Sequence, residues 1–252
     1  MKRRNWTREE LIVAFNLYCK IPFSKINYRN PLIIKLAEAI ERTPSAVSWK
    51  LANFASLDSS LTKKGIKGAS NVGKLDKIIF EEFINNWEDL SYESELLLSK
   101  FLNEEIRLTI EESFELKEGF EKERKVKVRV NQSFFRSTVL SSYDFKCCIT
   151  GINIPELLIA SHIIPWSKDA KNRLNPQNGL CLNNLHDKAF DKGLITFDSN
   201  LKLKLSNELR ENKSEKIKLY FHKLEGKPLV LPKRFSPNEK FLEYHNKNIF
   251  QL

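Results

Sequence analysis

The chain has 252 residues, 41% of them hydrophobic, enough for two modest domains or one larger one, with at least one buried core. It carries 42 Lys and Arg against 32 Asp and Glu, a net charge of +10. That balance suits a polyanionic partner, and equally a lysine-rich solvated surface. No run of roughly eighteen apolar residues is present, so no membrane partner is expected. The basic start through Arg4 and Trp6 lacks the apolar stretch of a signal peptide. Cys19, Cys147, Cys148 and Cys181 are too few for a disulfide framework at this length. The expectation is a soluble, cytoplasmic protein.

In chain order, Thr7-Arg8-Glu9-Glu10 fits a capping box ahead of an apolar run from Leu11 to Tyr18, and Pro22 ends that helix. Asn30-Pro31 opens a second helix with Leu32, Ile33, Leu36, Ala37 and Ile40 at helical spacing. Thr43 caps a third, with Pro44 at its first position and Ala46, Val47, Leu51 and Phe54 along it. Helix, tight turn, helix is the skeleton of a helix-turn-helix, or of an ordinary helical hairpin. Its second helix would display Ser45, Ser48, Trp49, Lys50 and Asn53, side chains able to bond bases or phosphates.

Residues 62–74 hold four lysines and three glycines and read as a basic loop, either along a phosphate backbone or as a plain linker. Residues 75–103 read as helices, with Leu75, Ile78, Ile79, Phe83, Ile84 and Trp87 on one face. The mixed acidic and basic blocks of 104–127 read as a connector, and the alternation Val126, Val128, Val130 as a strand. Further on, residues 194–197 and 201–205 alternate as the two strands of a hairpin around Asp198-Ser199-Asn200. The expected domains are a helical DNA-recognition unit at 1–103, the connector at 104–127, and a second domain at 128–252.

The chemistry-bearing residues fall in that second domain. His162 ends an apolar run, Leu157-Leu158-Ile159-Ala160, before Pro165 and Trp166. An imidazole with a pKa near ~6.5 suits proton removal at neutral pH, although a histidine beside an apolar run is more often structural. Asn178-Gly179 is a turn signal. Asp187 and Asp191 are four apart, so on a helix both carboxylates share a face, and two hard oxygens suit Mg²⁺ or Mn²⁺. His186 adjoins them, able to add a nitrogen ligand or touch a phosphate. His222 and His245 have no partner pattern.

The ordered words Cys147-Cys148-Ile149-Thr150-Gly151, Ser161-His162-Ile163-Ile164-Pro165-Trp166, Asn178-Gly179-Leu180 and His186-Asp187-Lys188-Ala189-Phe190-Asp191 resemble the HNH endonuclease family, in its restriction-endonuclease branch. Residues 128–136 and 226–232 fit the same branch. The resemblance implies an α+β protein: an N-terminal all-helical, helix-turn-helix-like domain, then a C-terminal HNH ββα-metal domain. It implies hydrolysis of DNA phosphodiesters with a divalent cation. His162 would be the base and Asn178 the residue that ties the loop and orients it.

This chain departs from the commonest pattern in three places. Ser161 stands where many members carry an Asp or His metal ligand before the base. Nine residues after Asn178 comes Asp187, where many carry a histidine. Either a one-residue slip makes His186 the last histidine of the motif, or Asp187 and Asp191 replace the two ligands. The intact i,i+4 spacing favours the carboxylate pair, with His186 beside it or on the phosphate. Cys148 remains from one zinc-binding Cys pair, while Leu182 and Leu185 stand where the second pair would fall, so no structural zinc is expected.

Three functions remain open on this reading: a restriction or defence endonuclease cutting DNA, a non-catalytic DNA-binding protein with a degenerate HNH domain, and a signal-activated effector that degrades DNA without sequence preference. One HNH unit cuts one strand, so a double-strand break needs a homodimer or two visits.

Overall fold

A computed structural model describes residues 4–62, 65, 72–103 and 120–252, with the side chains of 120–125 excepted. Most of the expected basic loop at 62–74 and of the connector at 104–127 lie outside these residues. The chain divides into two compact units, Met1–Ser141 and Ser142–Leu252. The first is helical and the second combines small antiparallel hairpins with helices, an α+β protein. Among the described residues, no helix is long and apolar enough to cross a membrane.

The first unit contains α1 (Arg8–Lys20), α2 (Pro31–Ala39), α3 (Pro44–Leu57), α4 (Ser59–Thr62), α5 (Lys74–Phe83), α6 (Trp87–Leu102) and α7 (Phe120–Ser142). The capping box forms: Glu10 N–H donates to Thr7 Oγ1 at 3.2 Å and Thr7 N–H to Glu10 Oε2 at 3.0 Å. Beyond it α1 is apolar on nearly every side, as a helix enclosed by others must be. Leu11, Ile12, Ala14 and Phe15 are fully buried, and α2, α3, α5 and α6 pack around them. The Phe15 ring lies 4.9 Å from Phe54 and 5.4 Å from Phe80, which ties α1 to α3 and α5.

Asn30 and Thr43 cap α2 and α3 as their positions suggest, each followed by proline at the first helical residue. The turn between them closes through Arg42 N–H to Ala37 O at 2.8 Å, with Glu41 in the left-handed region at φ 53°. Glu10 is shared by Arg4 and Arg42. Burial raises its pKa, but hydrogen bonds from Arg42, the Thr7 N–H and Arg4 outweigh that and hold it below the usual carboxylate range.

One expected strand is a helix. Val126, Val128 and Val130 lie in α7, whose buried apolar side chains among the described residues are Val130, Phe134, Phe135, Val139 and Leu140. These recur at spacings of four and five, one turn of a helix face, whereas the alternation covers only three valines. The longer apolar pattern decides, because burying it against a core outweighs a weak β preference. Trp87 meets Phe134 at 6.3 Å, and Ser141 Oγ donates to Cys19 O at 2.8 Å.

The second unit begins with β1 (Leu158–His162) and β2 (Gly179–Asn183), which pair antiparallel with Leu158 opposite Asn183 and His162 opposite Gly179. The helix α8 (Asn184–Asp191) follows at once and packs on both strands. β3 (Ile195–Phe197) and β4 (Leu203–Leu205) form the expected second hairpin, whose turn is tied by Asp198 Oδ1 accepting from Asn200 and Lys202 N–H. Three helices complete the unit: α9 (Asn207–Glu211), α10 (Glu215–Tyr220) and α11 (Glu239–Asn248). Leu180, Leu182, Phe190, Ile195 and Phe197 are fully buried and form the core under the hairpins.

Candidate functional site

Strand β1 delivers Ser161 and His162 to its end, and the loop 163–178 returns the chain to β2. Asn178 holds that loop from inside and is 1% exposed. Its Oδ1 accepts from Ile164 N–H at 2.8 Å, and its Nδ2 donates to Ile164 O at 3.2 Å and Asn172 O at 3.3 Å. Its carbonyl accepts from Ile163 N–H at 2.9 Å. The residues just after His162 are therefore fixed by one amide side chain.

The His162 ring is fixed independently. Nε2 lies 2.9 Å from the carbonyl of Arg173. A carbonyl only accepts, so Nε2 carries the proton and Nδ1 carries the lone pair. Trp166 meets the ring edge-on at 5.5 Å. Burial lowers the imidazole pKa, opposed by the Arg173 contact and by the charge of Asp187, and the net shift is downward. A neutral imidazole with an oriented lone pair is the form a general base needs.

Helix α8 supplies the opposing groups. Asn183 caps it, accepting from His186 N–H at 3.0 Å, and this sets the rotation of the helix. Asp187 then faces the end of β1, where it senses both Ser161 and His162. Burial raises the Asp187 pKa, while Ser161, Lys188 and His162 pull the other way. Asp191 is open to solvent on one side, yet partial desolvation of its carboxyl and the charge of Asp187 raise its pKa too. An acid whose ionisation is opposed by a neighbouring carboxylate favours a cation beside the pair.

Residues 147–198 match the family model for HNH endonucleases. They form an HNH endonuclease domain. No curated protein matches the chain. The HNH domain covers Cys147 through β3, so His162, Asn178, Asp187 and Asp191 all fall inside it. The domain is that of a nuclease, which implies a nucleic-acid substrate, and HNH nucleases typically use a divalent metal.

The sequence-derived residues do not all converge. His186 is 2% exposed, and both ring nitrogens face protein oxygens: Nδ1 lies 3.0 Å from Asn183 Oδ1 and Nε2 3.2 Å from Tyr220 O. Its ring packs on Phe221 at 5.2 Å. Successive helical residues project about 100° apart, so His186 turns into the fold while Asp187 faces the site. In the first unit, Lys50 Nζ sits 2.7 Å and 2.8 Å from the two Asp76 oxygens, and Asn53 Nδ2 donates to Asp76 Oδ2 at 2.7 Å. Those two side chains are engaged within the unit, while Ser45 and Trp49 are exposed on α3 and Ser48 is partly exposed.

Among the described residues, no group of three or more His, Cys, Asp or Glu side chains is arranged to hold an ion alone. The donor set is nonetheless suited to a divalent cation that keeps several waters: two carboxylates, and beside them the buried Ser161 hydroxyl. That hydroxyl reaches no partner of standard hydrogen-bond geometry, yet is near enough to Asp187 to favour its ionised form. Cys147, Cys148 and Cys181 are in no disulfide and are fully buried, and burial pushes the Cys148 thiol up, which keeps it protonated.

Proposed function

We propose that the chain is a divalent-metal-dependent DNA endonuclease of restriction or defence type. The observation that carries this is the His162 imidazole, its tautomer set by the Arg173 carbonyl, within electrostatic reach of the Asp187 carboxylate, with Asp191 one turn further along α8. In this reading Asp187 and Asp191 hold Mg²⁺ or Mn²⁺. The cation, when bound, neutralises charge on the phosphoryl and leaving oxygens. His162 accepts the proton of the attacking water at Nδ1. Asn178 keeps the loop rigid, so the lone pair stays aimed. His186, counted among the catalytic residues on sequence grounds, acts through the packing of α8. The choice of DNA rests on the helical unit, where Ser45 and Trp49 of α3 are exposed and Ser48 partly so, side chains able to bond a duplex. With one site per chain, a double-strand break takes two copies or two visits.

The test is cleavage of supercoiled plasmid and of a matched RNA at low salt with Mg²⁺, Mn²⁺ or EDTA, for wild type and His162→Ala. Metal-dependent cutting of DNA that falls by at least about 100-fold in the variant is expected. Cutting that survives His162→Ala would remove the mechanism, and preference for RNA would remove the substrate. One observation favours a second reading, a DNA-binding protein that does not cut: Ser161 leaves the site with two carboxylates and no third charged ligand among the described residues. Duplex binding without cleavage in any metal would select it.

A further inference from the structure

Arg173 is used twice by the loop that follows β1. Its main-chain carbonyl accepts from His162 Nε2 at 2.9 Å. Its side chain turns back on Trp166: Nε donates to the Trp166 carbonyl at 2.8 Å, and the guanidinium lies 5.2 Å from the indole centroid. The same indole meets the His162 ring at 5.5 Å. Histidine, indole and guanidinium thus form one packed group at the end of β1.

The guanidinium has five N–H donors, and these contacts use only the one on Nε. Both Nη groups remain without a protein hydrogen bond, and Arg173 enters no ion pair among the described residues. The nearest acid in sequence, Asp169, is bonded instead to Asn172, through N–H at 3.2 Å and Nδ2 at 2.7 Å. Asn172 is in turn held by Asn178. The backbone that carries Arg173 is therefore braced on both sides, while its charge is left uncompensated. Pinning a loop needs no uncompensated charge. A planar fork with both outer arms unused, fixed beside a general base, matches the two oxygens of a phosphodiester.

We propose that Arg173 binds the phosphate attacked by the water that His162 deprotonates, with both Nη groups directed to its non-bridging oxygens. The proposal rests on the nuclease reading for its reaction, but not for its binding. Arg173 would hold the phosphodiester in the ground state and strengthen that hold as charge grows on the oxygens. It would supply at the β1 end a positive charge that the carboxylates of α8 do not.

Two measurements on the full chain test this, with wild type, Arg173→Ala and Arg173→Lys. The first is plasmid cleavage in Mg²⁺ with and without added guanidinium. Arg173→Ala should lose about 100-fold in rate and regain part of it with guanidinium. Arg173→Lys should recover less than a full arginine, since a point charge replaces a fork. The second is binding of a short duplex in EDTA across a salt series. Arg173→Ala should lower the salt slope by about one. Equal cleavage by wild type and Arg173→Ala would overturn the proposal. So would a dead Arg173→Ala that guanidinium does not rescue and whose salt slope is unchanged, because that describes a loop pin. If wild type cuts nothing, the nuclease reading fails, and the salt slope alone decides on Arg173: a drop of about one supports phosphate binding, no change overturns it.

Discussion

His186 and Asp187 are neighbours in sequence with opposite surroundings, and substitution separates them. His186 fills a buried place between Asn183, Tyr220 and Phe221. His186→Ala should cost roughly 2–4 kcal/mol of stability, the range for emptying a large buried side chain. The Mg²⁺ concentration for half-maximal cleavage should then change little. Asp187→Asn should do the reverse, leaving the urea midpoint close to wild type and raising the metal requirement at least about tenfold. A metal requirement that rises equally in both variants would make His186 a ligand. The i,i+4 spacing favoured the carboxylate pair as ligands but left His186 at the site beside them. What decides is the rotation of α8, set by the Asn183 cap, and a rotation of 100° per residue is invisible to a count of spacings. Lys50 and Asn53 illustrate the same limit, since their shared partner Asp76 lies on another helix.

At the scale of elements, caps and strands were legible wherever a local rule governs them. Thr7, Asn30 and Thr43 cap the helices that follow them, and the β3–β4 turn forms at Asp198. The valine alternation was misleading because a period read from three residues cannot compete with the apolar face that α7 buries from Val130 to Leu140. The end of α8 shows what such reading omits. Gly193 terminates it at φ 69°, with Gly193 N–H on Phe190 O at 2.9 Å and Leu194 N–H on Ala189 O at 2.9 Å. A Cβ there would stand 2.0 Å from the carbonyl oxygen of Ile249, so backbone itself fills the space. Gly193→Ala should therefore cost more than the ~1–2 kcal/mol of a left-handed alanine alone. A chemical-denaturation midpoint unchanged by this substitution would show that the close approach is not maintained in solution.

For the molecule as a whole, acid sensitivity is the clearest expectation. His245 on α11 is 1% exposed and stacks on Phe190 of α8 at 3.7 Å. Nε2 donates to Phe190 O at 3.0 Å, and Nδ1 accepts from the Thr196 hydroxyl at 2.9 Å. Both ring nitrogens are satisfied in the neutral form, and the buried site disfavours the charged one. Burial takes its pKa from 6.5 down to about 4, against a smaller opposing effect of the Phe190 carbonyl. The unfolded chain binds this proton near pH 6.5 and the folded chain only near 4. The stability due to neutral His245 is thus complete above about 6.5 and is lost as pH falls toward 4, on the order of 3 kcal/mol in all. Melting temperature against pH should fall through that window and flatten in His245→Gln. An equally steep fall in the variant would assign the loss to other groups.

The contact between His162 and Arg173 joins a side chain to main chain, and that asymmetry bears on how such a site can change. Any amino acid at position 173 offers the same carbonyl. The tautomer of His162 is therefore independent of the residue encoded there, while the guanidinium attached at that position is open to replacement. A library varied at 173 could sample new affinities and cutting rates without disturbing which nitrogen of His162 carries its proton. Scanning by alanine would miss the carbonyl altogether, and only an edit to the path of the loop, an insertion or a deletion between 163 and 178, would reach it.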